Sequence, residues 1–178
     1  MLLTKYLEAI VEASRKERRW GFKILVMIAG AVVLFVVAPS ALFFAGYALE
    51  TWLLSGRSLQ VAFAVVCLAG GISFVVWTVL TQMMVGKGTP MPVAPPRRLI
   101  VTGPYRLCRN PIQLGAMFYY LAVGTLFGSI EIGLVMLFLS LVIGGSYHRF
   151  VEEKELRLRF GEEYEEYRRN TPFLIPKW

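Results

Sequence analysis

Four stretches without a charged residue, 24–48, 61–85, 112–130 and 132–147, constrain this chain more than anything else in it. At 1.5 Å per helical residue, a hydrocarbon core of about 30 Å takes roughly 20 residues. The first two stretches exceed that length, the third meets it and the fourth is short. A segment in lipid must satisfy its own backbone hydrogen bonds, and these stretches lack the strict alternation of barrel strands, so they predict helices. The fold class is therefore all-α, a polytopic integral membrane protein with about four transmembrane helices. Pro39 lies inside the first stretch, and the donor it lacks leaves open a division into two pieces and five segments. Bulk composition agrees: of 178 residues, 56% are hydrophobic and 17% charged, too apolar a balance for one soluble core.

Charge placement gives an orientation. Residues 5–23 carry six basic side chains, 87–109 five and 149–177 seven, while the 50–57 connection has one and the 128–131 turn none. By the positive-inside rule, the N-terminus, the long middle connection and the C-terminus face the cytoplasm, which needs an even number of spans. The N-terminus shows no short apolar core with a small-residue cleavage site, so no cleaved signal peptide is expected. The net charge of +7 sits beside apolar spans, which points to the lipid bilayer and its anionic headgroups and away from nucleic acid. One histidine and two cysteines, Cys67 and Cys108, form neither a metal spacing nor a disulfide framework, and no metal is expected.

The chain reads as one membrane domain. Residues 1–21 form an amphipathic helix, with Leu2, Leu3, Tyr6, Ile10 and Val11 at rough helical spacing and a basic end. Residues 22–85 hold the first two spans and 112–148 a helical hairpin. The connection 86–111 contains six prolines, too many for a helix, and its length suggests function. Residues 149–178 continue as charged helices, pausing at Gly161 and stopped by Pro172. The small-residue patch at 69–73 permits close helix packing within or between chains.

Chemistry concentrates at two edges of the hairpin. In "GPYRLCRNPIQLG", residues 103–115, Asn110 and Pro111 form a coherent helix start, Asn as cap and Pro in the first turn. The same helix terminus, with Arg106 and Arg109 within a turn, also suits an anion. Across the hairpin, Arg149 with Glu152 and Glu153 can share one helix face, as an ordinary ion pair or as a ligand site. Gly86 and Gly88 read equally as turn glycines, and His148 as an interfacial histidine.

The order "GKGTPMPVAPPRRLIVTGPYRLCRNPIQLG", then an apolar hairpin, then "YHRFVEEKELRLRFGEEYEEYRRNTPFLIP" resembles the bacterial branch of the isoprenylcysteine carboxyl methyltransferase and phospholipid methyltransferase superfamily. The resemblance spans residues 86–176. It implies an S-adenosylmethionine-dependent enzyme with a cytoplasm-facing pocket and a lipophilic methyl acceptor, a carboxylate or an amine, arriving sideways from the bilayer. A bacterial inner membrane is the location it suggests. Carried across, Tyr105, Arg109, Asn110 and Pro111 match the cofactor motif, Gly86 and Gly88 the Gly-x-Gly element, and Glu152 and Glu153 the paired glutamates. Arg149 with Glu152 matches a catalytic Arg-x-x-Glu step, and Gln113 and His148 are the acceptor-side candidates. Asn110 replaces a histidine of the prenylcysteine enzymes, and Gln113 an aromatic residue of many relatives. Two other readings carry distinct expectations: an NADPH-dependent membrane lipid or sterol reductase using Arg97, Arg98, Arg106 and Arg109, and a non-catalytic lipid-binding protein on the same scaffold.

Overall fold

The structure, a computed structural model, describes residues 2–47 and 57–176. Among them there are helices and no strand: α1 (Leu2–Arg15), α2 (Trp20–Val32), α3 (Ala38–Tyr47), α4 (Arg57–Met84), α5 (Pro111–Phe127), α6 (Ile130–Tyr147) and α7 (Glu153–Asn170). Five-residue π-turns, Val33–Val37 and His148–Glu152, join α2 to α3 and α6 to α7. The sparsely charged connection 50–57 falls almost wholly outside the described residues.

Among the described residues, three helices are long and apolar enough to cross a bilayer: Trp20–Gly46, Ser58–Met84 and the continuous helix that starts at Ile130. The apolar part of the last ends at Tyr147. The fourth, α5, is apolar but only 17 residues long. Ile24, Leu25, Ile28, Val32 and Val36 are each about half exposed or more on the isolated chain, as a lipid-facing surface requires.

Pro39 does not divide the first span. The π-turn hands the Ala38 N–H to the Val33 carbonyl, and Pro39 has no N–H to give the preceding turn. This opens the Leu34 and Phe35 carbonyls to outside donors. The Tyr120 hydroxyl donates to Leu34 O at 3.1 Å and the Tyr119 hydroxyl to Phe35 O at 2.9 Å. Two phenols on α5 thus complete the backbone of a different span.

Close approach explains the small residues. A Cβ on Gly71 of α4 would stand 2.7 Å from Tyr119 N, and one on Gly115 of α5 would stand 2.7 Å from Val75 Cγ2. The glycine of the 69–73 patch that matters is therefore spent within the chain, at the α4–α5 crossing. Ala116, Tyr120, Ile132 and Met136 form a buried cluster between α5 and α6, with Leu34, Leu42 and Phe43 packed on it.

The charged segments gather at one end of the bundle. Lys23 Nζ donates to Lys87 O at 2.9 Å, Arg97 lies 3.7 Å from Glu17, and the Tyr6 and Tyr147 hydroxyls are 3.0 Å apart. α1 ends at Arg15, short of the expected residue 21, and packs Leu7 and Ile10 inward against that end. Within α7, Gly161 takes φ 54°, breaking the helix where the sequence predicts a pause. We expect Tyr119→Phe with Tyr120→Phe to cost about 1–3 kcal/mol by stranding two carbonyls. Pro39→Ala in that background should restore part of the loss, measured by thermal unfolding in detergent.

Candidate active site

At the charged end, a cavity of about 170 Å³ lies between the end of α4, the middle connection, the first turn of α5, the His148–Glu152 turn and α7. Seven of the residues matched through the family resemblance line it: Tyr105, Arg109, Asn110, Pro111, Gln113, His148 and Glu152. Gly86, Gly88, Arg149 and Glu153 are not on its wall. The two glycines are needed by packing: a Cβ on Gly86 would stand 2.8 Å from Pro96 Cβ, and one on Gly88 would strike the Pro95–Pro96 backbone.

The expected Asn110 cap is replaced by a tether. Helix α5 does start at Pro111, but the Asn110 side chain makes no capping bond; its Nδ2 donates to Phe173 O at 2.9 Å. Arg109 acts beside it. Its backbone N–H donates to Pro172 O at 2.9 Å, its Nε to Thr171 O at 3.0 Å and its Nη1 to the Tyr164 hydroxyl at 3.2 Å. The same guanidinium pairs with Glu153, both side chains under 10% exposed. Glu153 also accepts from Arg149 at 3.0 Å and lies 3.9 Å from Arg157 and Arg168. Arg149 therefore pairs with Glu153, and the residue Glu152 meets is His148.

The remaining wall is polar on both sides of zero charge. Arg98, Arg159, Glu152 and Glu155 line it, with Arg159 bound to Glu155 and donating to Pro96 O. Arg159 Nε is buried without a partner. Gln82, from the end of α4, donates Nε2 to the Tyr105 hydroxyl at 2.5 Å and leaves Oε1 buried and unpaired. Whichever way that amide is turned, one of its polar atoms lacks a partner. Gln113 donates to Ser140 O at 2.8 Å and to Ser140 Oγ at 3.1 Å, fastening α5 to α6 at the membrane side of the cavity.

Electrostatics set the protonation states. Burial alone would lower His148, but the adjacent Glu152 carboxylate outweighs it and holds the imidazole above its usual range. Burial raises Glu155, opposed by Arg159. Tyr105 is raised well above the ordinary phenol by burial and then by Glu152, so it stays neutral. Burial also pushes the Cys108 thiol up to about 11, which makes it inert near neutral pH.

Gln82, Glu155, Arg159, Tyr167 and Ile10 of α1 were not expected here. Glu155 and Arg159 look like part of a solvated helix face, and Gln82 is a single amide in an apolar run. Their meeting depends on the bend that brings α7 back over the bundle end.

Fold and cavity together define an all-helical membrane protein with a polar, charge-lined cavity at one end of its bundle. The chain is a member of the phospholipid methyltransferase family, whose sequence profile matches residues 59–163. That stretch contains α4, the middle connection, the hairpin and the first part of α7, and so most of the cavity wall. Among curated proteins and among solved structures, nothing matches.

Arg109→Ala should lower stability by about 3 kcal/mol, because it removes one partner of a buried ion pair and frees the tail. Arg109→Lys should recover little, since an ammonium cannot serve Glu153, Tyr164 and Thr171 together; thermal unfolding and proteolysis of the tail read both. For His148, whose value is raised on folding, the stabilising pair is fully present below about pH 6.5 and is lost as pH rises through the raised value. The melting-temperature gap between the wild type and His148→Gln should therefore close as pH increases.

Proposed function

We propose that this protein is an S-adenosylmethionine-dependent methyltransferase that binds its cofactor in the cavity and modifies a lipophilic acceptor. The observation that carries the reading is the mixed lining of the cavity, where Arg98 and Arg159 stand with Glu152 and Glu155 beside the neutral polar groups of Gln82, Tyr105 and Asn110. A wall with both signs of charge and several hydrogen-bonding groups fits a zwitterionic, hydrogen-bonding ligand. When bound, S-adenosylmethionine supplies a methyl group on a positively charged sulfur.

The chain's part is mainly positioning. Arg159 and Arg98 offer donors to a carboxylate, Glu152 and Glu155 offer charge to cationic groups, and Gln82 with Tyr105 and Asn110 offers neutral hydrogen bonds. Arg109, Arg149 and Glu153 hold the wall in shape from outside the ligand's reach or at its margin. Gly86 and Gly88 shape the turn beneath it. The Glu152 carboxylate favours an amine over a carboxylate acceptor, because methylating an amine leaves a proton on nitrogen that this group, or His148 in its neutral form, can take. Charge placement supports cytoplasmic termini, so the cavity opens to the compartment that holds the cofactor, consistent with a bacterial inner membrane.

Titration calorimetry on detergent-purified protein should show binding of S-adenosylhomocysteine, weakened about tenfold, or 1.4 kcal/mol, by Glu152→Gln and by Arg159→Lys. NADPH should not compete. No binding of either S-adenosylmethionine or S-adenosylhomocysteine would sink the reading. With methyl-labelled cofactor and total lipid, label that resists alkaline hydrolysis marks an amine acceptor, whereas label released as methanol marks an ester.

A further inference from the structure

Gln113 is the polar residue of the cavity that packing alone does not account for. It is the third residue of α5, 7% exposed, and it lines the cavity on the membrane side. An apolar side chain would join α5 to α6 there without the cost of burying an amide. Its Nε2 donates to Ser140 O at 2.8 Å and to Ser140 Oγ at 3.1 Å. A backbone carbonyl can only accept, so this contact fixes which end of the amide is nitrogen. Among the described residues, Gln113 makes its side-chain hydrogen bonds through Nε2 alone. The tether between the helices therefore uses one end of the amide and leaves an acceptor oxygen at the other.

A glycine sets where that oxygen lies. A Cβ on Gly144 would strike Gln113 Oε1 and stand 2.8 Å from Nε2. Ser140, Gly144, His148 and Glu152 follow at four-residue steps along one continuous helix. Ser140 takes the nitrogen, Gly144 makes room for the oxygen, and His148 comes about 6 Å further toward the charged end. Helical side chains lean toward the N-terminus, which brings the Glu152 carboxylate back to His148. The cavity thus has two hydrogen-bond acceptors about one helical turn apart, a neutral amide oxygen and a carboxylate. Two hydrogen bonds of about 2.9 Å that diverge from one nitrogen at the tetrahedral angle span about 5 Å, the order of that separation.

We propose that Gln113 is the specificity-determining residue for the acceptor: its Oε1 and the Glu152 carboxylate take the two N–H groups of a primary amine, which is methylated once. This deepens the methyltransferase reading and rests on it. As the amine nitrogen bonds the methyl carbon, the electron pair of the breaking C–S bond stays on sulfur. The surplus proton on nitrogen passes to Glu152, and the second N–H stays on Gln113 Oε1. A once-methylated amine in its neutral, nucleophilic form has a single N–H and leaves one acceptor without a partner. A site built to bond an N–H rejects the analogue that lacks it.

Binding tests this without turnover. In titration calorimetry on detergent-purified protein saturated with S-adenosylhomocysteine, dihexanoyl phosphatidylethanolamine binds as its ammonium. It should bind about tenfold more tightly than its N,N-dimethyl derivative, which carries one N–H. Gln113→Leu, of similar size, should bring the two lipids within about twofold of each other and leave S-adenosylhomocysteine affinity unchanged. A tether role alone would lower the melting temperature and leave the ratio where it was. A ratio that survives Gln113→Leu overturns the assignment, as does a wild type that binds both lipids equally or neither. Should Gln113→Leu not fold, the wild type given methyl-labelled cofactor and vesicles of phosphatidylethanolamine should accumulate the N-monomethyl lipid. Passage on to the dimethyl or trimethyl lipid overturns the assignment. Absence of S-adenosylhomocysteine binding, measured before any lipid is added, overturns the methyltransferase reading instead.

Discussion

The Glu153 carboxylate, nearly buried and ringed by Arg109, Arg149, Arg157 and Arg168, is the interaction on which this molecule's polar end depends. A carboxylate in that position would be prohibitive alone, and its partners come from the middle connection, the π-turn and both halves of α7. Satisfying one charge therefore fixes the position of three segments. Arg109 extends the arrangement to the tail through Thr171 and Tyr164. The cavity is what remains between parts held together for electrostatic reasons.

That construction separates the residues that shape the site from those that face into it. The strongest charges of the motif stretch are consumed in holding the wall, Arg109 at its margin and Glu153 and Arg149 beyond it. The groups that line the cavity itself are an amide, a phenol, an arginine and carboxylates shared with His148 and Arg159. A ligand with both charges and several hydrogen-bonding groups can complete them without displacing the scaffold.

Much of this was legible in the sequence, and the failures are informative. Runs of uncharged residues located the spans because lipid leaves the backbone one economical answer, and Gly161 marked its own break. The approach of residues 105–113 to 148–152 followed from their being opposite arms of one hairpin. Pairing within 148–153 was legible in part: the four-residue step from Arg149 to Glu153 is one of the two that the spacing allows, and the His148–Glu152 pair is the one it did not name. Both pairs take the four-residue step, and the three-residue step from Arg149 to Glu152 is not made. Gln82, Glu155 and Arg159 carried no local signal; only the folding back of α7 turns a charged surface pattern into a wall. Asn110 was read correctly as a helix start, but its side chain answers a long-range demand from Phe173 that no local pattern encodes.

The phenol-completed carbonyls of the first span bear on the order in which the membrane protein is assembled. Phe35 and Tyr119 are 84 residues apart, so when the first span leaves the ribosome its hydrogen-bond partner has not been synthesised. Until the third apolar segment arrives, Leu34 and Phe35 must find water, a neighbouring chain or an insertase to hold their carbonyls. The first span is thus fitted to enter the bilayer early but to reach its final state late, with the hairpin acting as its template.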